Sequence, residues 1–373
     1  MREEFLLDPD VVFLSHGTFG ACPRSVFERY QAWQLELERE PVEFIGRRLP
    51  ELLAGARAAL AAYVGASPDD LTFVQNATTG VNIAARSLEL HPGDEILATG
   101  LEYGACDLAW EWLCERTGAR YVRAEMPLPV GDVVDRLFAA RSERTRVVFV
   151  SHITSETAVR LPLEEIVERA RAEGLVTIID GAHAPGHVPL DLDALGADFY
   201  AGNCHKWLCA PKGAGFLHVR PEHQERIDGA IVSWGYAEPA DFISRTELQG
   251  TRDAAAYLTV PEAIAFQRER GWDDVRTRCR ALALEARAQL CALLDTEPIA
   301  PEEMLLQMAA VRLPQPDPDL RRRLFDEHRI EIPVMRDDDL IRISVAAYTT
   351  REDVERLLDA LPHVLRRRSP RRP

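Results

Sequence analysis

The sequence predicts an α/β protein: a mostly parallel sheet covered by helices on both faces, followed by a smaller α+β region. Three observations predict it. Nearly continuous apolar runs such as Leu175-Val176-Thr177-Ile178-Ile179 read as strands buried on both faces. Between such runs lie amphipathic stretches of about 10–15 residues, the pattern of parallel crossovers. Near residue 250 this alternation gives way to long helical stretches with only two strand-like runs. The chain has 373 residues, more than one core usually serves, which favours two domains.

In order along the chain, Val11–Leu14 is a short strand that ends in Ser15-His16-Gly17-Thr18-Phe19-Gly20, a polar turn bracketed by glycines. Ser25–Glu38 is a helix entered after Pro23. Leu49–Val64 is another, with Leu52, Leu53, Ala56, Leu60 and Val64 on one face and Gly65 to stop it. Strand Leu71–Val74 runs into Gln75-Asn76-Ala77-Thr78-Thr79-Gly80 and then a helix reaching about Leu90. Strands follow at Glu95–Thr99, Ala119–Ala124 and Arg146–Ser151, with a helix at Ala105–Arg116. Leu161–Glu173 is a helix closed by Gly174, and strands Leu175–Ile179, Asp198–Ala201 and Gly215–Val219 come after it. Gly235–Thr251 reads as a connector. Beyond it, Asp253–Glu269, Asp274–Leu294 and Pro318–Glu327 read as helices, and Leu305–Leu313 and Leu340–Val345 as strands.

Composition narrows the function. A formal net charge of −16 argues against a nucleic-acid or anionic membrane surface. The basic run Arg366-Arg367-Arg368-Ser369-Pro370-Arg371-Arg372 reads as a solvated tail. No segment reaches about 18 consecutive apolar residues, so no span of a membrane is expected. The seven cysteines form no CxxC pair and no zinc spacing, so no metal is expected. Their odd number, and the lack of an apolar leader after Met1, lead us to expect reduced thiols in a cytoplasm. Of 44 basic residues only Lys206 and Lys212 are lysines, so chemistry requiring a side-chain amine has two candidates.

In a doubly wound sheet, ligands bind beyond the carboxyl ends of the strands. Asn76–Gly80 sits at such an end, either as a phosphate cradle or simply as a helix cap. Asp180 closes a buried strand, where a carboxylate is costly without a donor or cation. It reads as a ligand partner or a turn residue, and His183 as a site residue or a satisfied buried histidine. Lys206, within Asn203-Cys204-His205-Lys206-Trp207, is well placed for a covalent amine, whereas Lys212 sits in a turn and faces water. Gln249-Gly250-Thr251-Arg252-Asp253 is a polar turn entering a helix. Arg342 lies in an otherwise apolar strand, either as a salt bridge or as a bidentate carboxylate clamp.

Taken in this order, these elements resemble the class V aminotransferase family, the fold-type I enzymes that use pyridoxal phosphate. Within it the chain is most similar to the isopenicillin N epimerase-like group. The passages that carry this are Leu14–Pro23, Leu37–Phe44, Gln75–Asn82 and Glu102-Tyr103-Gly104-Ala105. The resemblance covers residues 10 to 360. It implies a large domain over residues 16–250 with a mostly parallel seven-stranded sheet, and a small C-terminal α+β domain over 251–365. Residues 1–15 would associate with the small domain, and 366–373 form the basic tail.

The resemblance also implies roles. Lys206 would carry the cofactor, Asp180 would pair with the protonated pyridine nitrogen, His183 would lie near the phenolic oxygen, and Tyr103 would stack on the ring. Thr78, Thr79, Asn203 and His205 would hold the phosphate. Thr251 would reach the phosphate of a neighbouring subunit, which implies a homodimer with shared active sites. Arg342 would clamp the α-carboxylate of an amino-acid substrate, with His16 nearby. A buried anionic Asp keeps the pyridine nitrogen protonated, and a lysine near cationic groups is the better base.

Cα deprotonation of an amino acid follows, with an epimerase-like outcome as the first expectation and β-elimination by a C–S lyase as the alternative. Transamination is less favoured. So is cysteine desulfuration, because Ala309–Leu340 contains no cysteine to act as its nucleophile. Retention of Lys206, Asp180 and Arg342 together argues against a non-catalytic protein.

Overall fold

The computed structural model describes residues 1–335 and 339–366. Seven strands form the main sheet: β2 (Leu71–Val74), β3 (Glu95–Thr99), β4 (Arg120–Ala124), β5 (Thr145–Ser151), β6 (Val176–Gly181), β7 (Phe199–Asn203) and β8 (Gly215–Val219), with β1 (Val12–Phe13) outside it. Their order is β2-β8-β7-β6-β5-β3-β4. All point the same way except β8, which runs antiparallel to both β2 and β7. The sheet is thus mostly parallel, as expected.

The apolar runs make this sheet because side chains on both faces are covered. Alternate residues of β5 divide between two cores: Val148 and Val150 pack on one face, Val147 and Phe149 on the other. Helix Ala77–Arg86 covers one face with Ala77, Val81, Ile83, Ala84 and Ala85. Helix Leu163–Ala172 covers the other with Leu163, Ile166, Val167 and Ala170. Gly65 takes the left-handed conformation (φ 65°) and ends helix Leu49–Val64, as a glycine there should.

The C-terminal region carries a second, antiparallel sheet in the order β11-β12-β9, formed by β9 (Met308–Arg312), β11 (Val334–Met335) and β12 (Leu340–Ser344). Helices Trp272–Leu294 and Arg351–Arg366 pack with it, which makes this the smaller α+β domain. The N-terminal segment crosses to it. Val12 and Phe13 pair in parallel with β10 (Ile330–Glu331), and Arg2 forms an ion pair with Asp353 at 3.1 Å.

Several local expectations are corrected. The connector contains a helix, Phe242–Glu247, held by a capping box between Asp241 and Ser244. The helix expected over Asp253–Glu269 is two, Ala255–Leu258 and Val260–Glu269, meeting at Thr259, two residues before Pro261. Ser15–Gly20 is one helical turn, His16–Phe19, not a loop. Of the basic tail only Arg366 is among the described residues, and 367–373 lie outside them.

Candidate active site

The carboxyl ends of β2, β3, β5, β6 and β7 lead into one cavity of about 200 Å3. Seven of the residues expected at the site line it: Thr78, Tyr103, Asp180, His183, Asn203, His205 and Lys206. Parallel neighbours bring them there. β6 and β7 pair in register, with Asp180 opposite Ala201, so the turns that follow leave the sheet side by side.

Lys206 is partly buried, and its amine is lowered to about 8 by desolvation and by the positive charge of Arg342. Its Nζ stands 3.2 Å from His183 Nε2. Burial and the neighbouring Lys206 and Arg342 charges hold His183 well below its ordinary value, so the ring is neutral. Asp180 Oδ1 accepts from the Ala182 N–H (2.9 Å), and the Cys106 thiol donates to Oδ2 (3.6 Å). Burial raises this carboxyl, and among the described residues no cation lies within ion-pair distance.

The loop bearing Lys206 is clamped by backbone contacts. Gly20 has φ 70°, and a Cβ there would overlap the His205 carbonyl oxygen. His16 does not line the cavity. Its ring is buried between two partners, Tyr348 Oη at 3.0 Å and the Lys206 carbonyl at 3.1 Å. Because a carbonyl only accepts, His16 Nε2–H donates to it and thereby holds the lysine's backbone. Burial lowers His16 to about 3.

The expected phosphate residues separate. The Asn203 side-chain Oδ1 accepts from the Ala77 N–H at 2.8 Å. The Thr79 hydroxyl and N–H both bond Asn76 Oδ1 (3.1 and 2.8 Å), so Thr79 secures the helix cap, while Thr78 lines the cavity. Being in the first turn of helix Ala77–Arg86, the Thr78 N–H has no intrahelical acceptor. Thr251 is exposed and away from the cavity. The other lysine, Lys212, is exposed, but its amine donates to the Gly20 carbonyl at 3.1 Å.

Arg342 lies one layer behind the cavity wall. Its guanidinium donates to the Ser155 carbonyl and to Thr18 Oγ1 (3.1 Å), and both those residues face the cavity. Its Nε has no partner, and the negative charge that bears on the guanidinium is that of Glu156. Thr18, Ser151 and Ser155 were not foreseen from sequence, nor was Glu102. The buried Glu102 carboxyl accepts from the Ser151 N–H (2.7 Å) and hydroxyl (2.6 Å), and burial raises it to about 8. A carboxyl three residues past the end of a strand was the available signal for Glu102. Ser and Thr at turns offer none.

These residues fit pyridoxal phosphate. A buried carboxylate without a cation suits a protonated ring nitrogen, a helix amino end with a free N–H suits a phosphate, and a partly buried amine near neutrality suits a covalent link. Fold and site define a pyridoxal-phosphate-dependent enzyme of fold type I.

Comparison with known proteins agrees. Residues 22–357 match the class-V aminotransferase family, and the chain belongs to it. The chain is 40% identical to an isopenicillin N epimerase of Streptomyces clavuligerus over 96% of each protein. It is 30% identical to a probable chloroplastic L-cysteine desulfhydrase of Arabidopsis thaliana, covering 96% of this chain and 84% of that one. Its fold superposes on the cystine C–S lyase C-DES, solved with its product cysteine persulfide, with a TM-score of 0.84 and 26% identity over 95% of this chain and 97% of that one. A C-DES variant with glycine covalently linked to the cofactor gives 0.85 at 25% identity, covering 97% and 98%. The chain therefore acts through Cα chemistry on amino acids, in a family that includes epimerases and C–S lyases.

Proposed function

We propose that this enzyme is a C–S lyase that carries out β-elimination on a cysteine-type amino acid. The observation that carries this reading is the pairing of Lys206 Nζ with a neutral His183 at 3.2 Å. One amine base next to one neutral imidazole is enough to remove a Cα proton and return it to a departing sulfur. The cofactor, when bound, supplies the electron sink that acidifies Cα. The Cα–H electron pair forms the Cα–Cβ double bond, the Cβ–S bond breaks, and the sulfur leaves with both its electrons. The released enamine hydrolyses to a 2-oxo acid and ammonia. Likeness to the L-cysteine desulfhydrase and to the C–S lyase C-DES supports the same reading.

In this reading Lys206 is base and cofactor anchor, Asp180 sets the ring nitrogen, His183 the phenolic oxygen, and Tyr103 stacks on the ring. Thr78, Asn203 and His205 hold the phosphate, and Arg342 takes the substrate carboxylate once Ser155 and Thr18 yield it. Thr251, exposed in the single chain, is the residue offered to a second subunit of a homodimer. Epimerisation is the second reading, favoured by the 40% identity to isopenicillin N epimerase. It requires proton return on the opposite face, for which Tyr103 is the cavity's candidate. Candidate amino acids incubated in deuterated water separate the two. Pyruvate and ammonia, with hydrogen sulfide from cysteine or cysteine persulfide from cystine, support elimination. Deuterium at Cα, with inversion and an intact skeleton, overturns it in favour of epimerisation.

A further inference from the structure

Trp207 follows the cofactor lysine and is buried, with its ring between two histidines. Its centroid is 4.0 Å from that of His187 and 4.7 Å from that of His16. Packing alone does not account for its orientation, because its indole N–H points at His183 Nδ1, 3.3 Å away. An indole nitrogen only donates, so Nδ1 must be the unprotonated nitrogen of that ring. A neutral imidazole then carries its one proton on Nε2, the atom that faces Lys206 Nζ. We propose that Trp207 is a positioning residue that locks His183 in the Nε2–H tautomer, giving the cavity a permanent hydrogen-bond donor at the lysine.

The surroundings keep this lock rigid. The Trp207 carbonyl accepts from Gln267 Nε2 (2.7 Å), and Gly186 packs so closely on it that a Cβ would overlap the same carbonyl. His187 Nδ1–H donates to the His183 carbonyl (3.0 Å), and its Nε2 accepts from the Gln307 N–H (2.9 Å), so both ends of that ring are fixed. The groups whose charge bears most on His183 are Lys206 from the loop after β7, Arg342 from β12, His187 four residues on and His16 from the N-terminal turn, with the Asp180 carboxyl lining the same cavity. The four basic groups all oppose a positive His183. Against a phenolic oxygen that carries negative charge, a fixed neutral donor binds without trading a proton. The inference rests on cofactor chemistry beside Lys206, and holds equally for elimination and epimerisation.

The test uses the cofactor-bearing enzyme labelled with 15N-histidine. Nitrogen NMR of the wild type should show His183 with an unprotonated Nδ1 and a protonated Nε2 that stays so from pH 6 to 9. Trp207→Phe keeps a ring between His16 and His187 but removes the N–H. It should let the His183 proton distribute between Nδ1 and Nε2, shift the cofactor's visible band, and lower kcat/KM roughly three- to tenfold, the loss of one hydrogen bond. In a His183→Gln background, Trp207→Phe should leave the band unmoved, since glutamine has no tautomer to lock. An Nδ1–H tautomer in the wild type overturns the proposal even if the variant fails to fold. So does an unchanged band and tautomer in Trp207→Phe, whichever reaction the enzyme performs.

Discussion

Nε2 of His183 and Nζ of Lys206 stand 3.2 Å apart although 23 residues separate them in the chain. Adjacent parallel strands account for this, since β6 and β7 end at the same edge and each throws its next turn into one cavity. An amine that desolvation brings to about 8 is matched to covalent and proton-transfer work near neutral pH.

Borohydride reduction should therefore fix the cofactor to a single peptide, the one containing Lys206. Lys206→Ala should lose the borohydride-resistant label and about 10²–10⁴-fold in turnover, the usual contribution of a positioned general base. Mass spectrometry of digested, reduced protein reads this directly, and a label on Lys212 instead would reassign the amine.

His205 leads to a prediction with a definite sign. Its Nδ1–H donates to the Ala214 carbonyl at 3.0 Å, and burial lowers the ring to about 4, so in the free chain Nε2 is a bare acceptor. A phosphate offers only acceptors to such a nitrogen. Binding it through His205 must protonate the ring, so its pKa rises on binding and affinity grows as pH falls between the two values. Calorimetry of cofactor binding in buffers of different ionisation enthalpy should show net proton uptake at neutral pH. Uptake that persists in His205→Asn would remove His205 from the phosphate.

Much of this was legible before any coordinates. Strands Leu71–Val74, Glu95–Thr99 and Gly215–Val219 have the bounds read from the sequence, because each is an apolar run with polar or glycine punctuation at both ends. The reversed direction of β8 was not legible, because a strand's own residues do not record which neighbour it joins. Helix Val133–Ala139 is too short for its period to stand out, and helix Arg351–Arg366 contains Pro362, which argues against a helix from sequence. At the site, Lys206 and Asp180 were conspicuous by scarcity and cost of burial. Trp207 was not, and His16 was expected beside the substrate rather than on the lysine's backbone, since these roles depend on residues 24 and 190 positions away.

Gly20 tests the long-range clamp on the lysine loop. A side chain there meets both a left-handed backbone and the His205 carbonyl. Gly20→Ala should cost about 2–5 kcal/mol in denaturant unfolding, combining strain and overpacking. Gly55→Ala, inside helix Leu49–Val64 with nothing within 4 Å of the new methyl, should instead stabilise by about 0.5–1 kcal/mol. Similar small effects at both positions would mean that the Gly20 contact yields without strain.

Arg342 separates stability from function most sharply. Its guanidinium is 1% exposed, bonded to two neutral oxygens, with Nε unpartnered and burial lowering it to about 10. Burial outweighs the compensating charge of Glu156, so the cation costs the chain stability, and replacing it by an apolar side chain of similar length removes that cost. Arg342→Met should therefore raise the melting temperature of the substrate-free enzyme. The same change should lower kcat/KM about 10- to 150-fold if a substrate carboxylate pairs with the guanidinium, the equivalent of about 1.5–3 kcal/mol for a charged hydrogen bond. Arg342→Lys should recover little of this, because a point charge cannot reproduce the planar fork. An amino-acid amide, which lacks the carboxylate, should be a poor substrate for the wild type and lose little further in Arg342→Met. A variant that melts lower and acts equally on acid and amide would make Arg342 a structural residue instead. Higher stability with lost discrimination identifies a cation kept in place for its ligand.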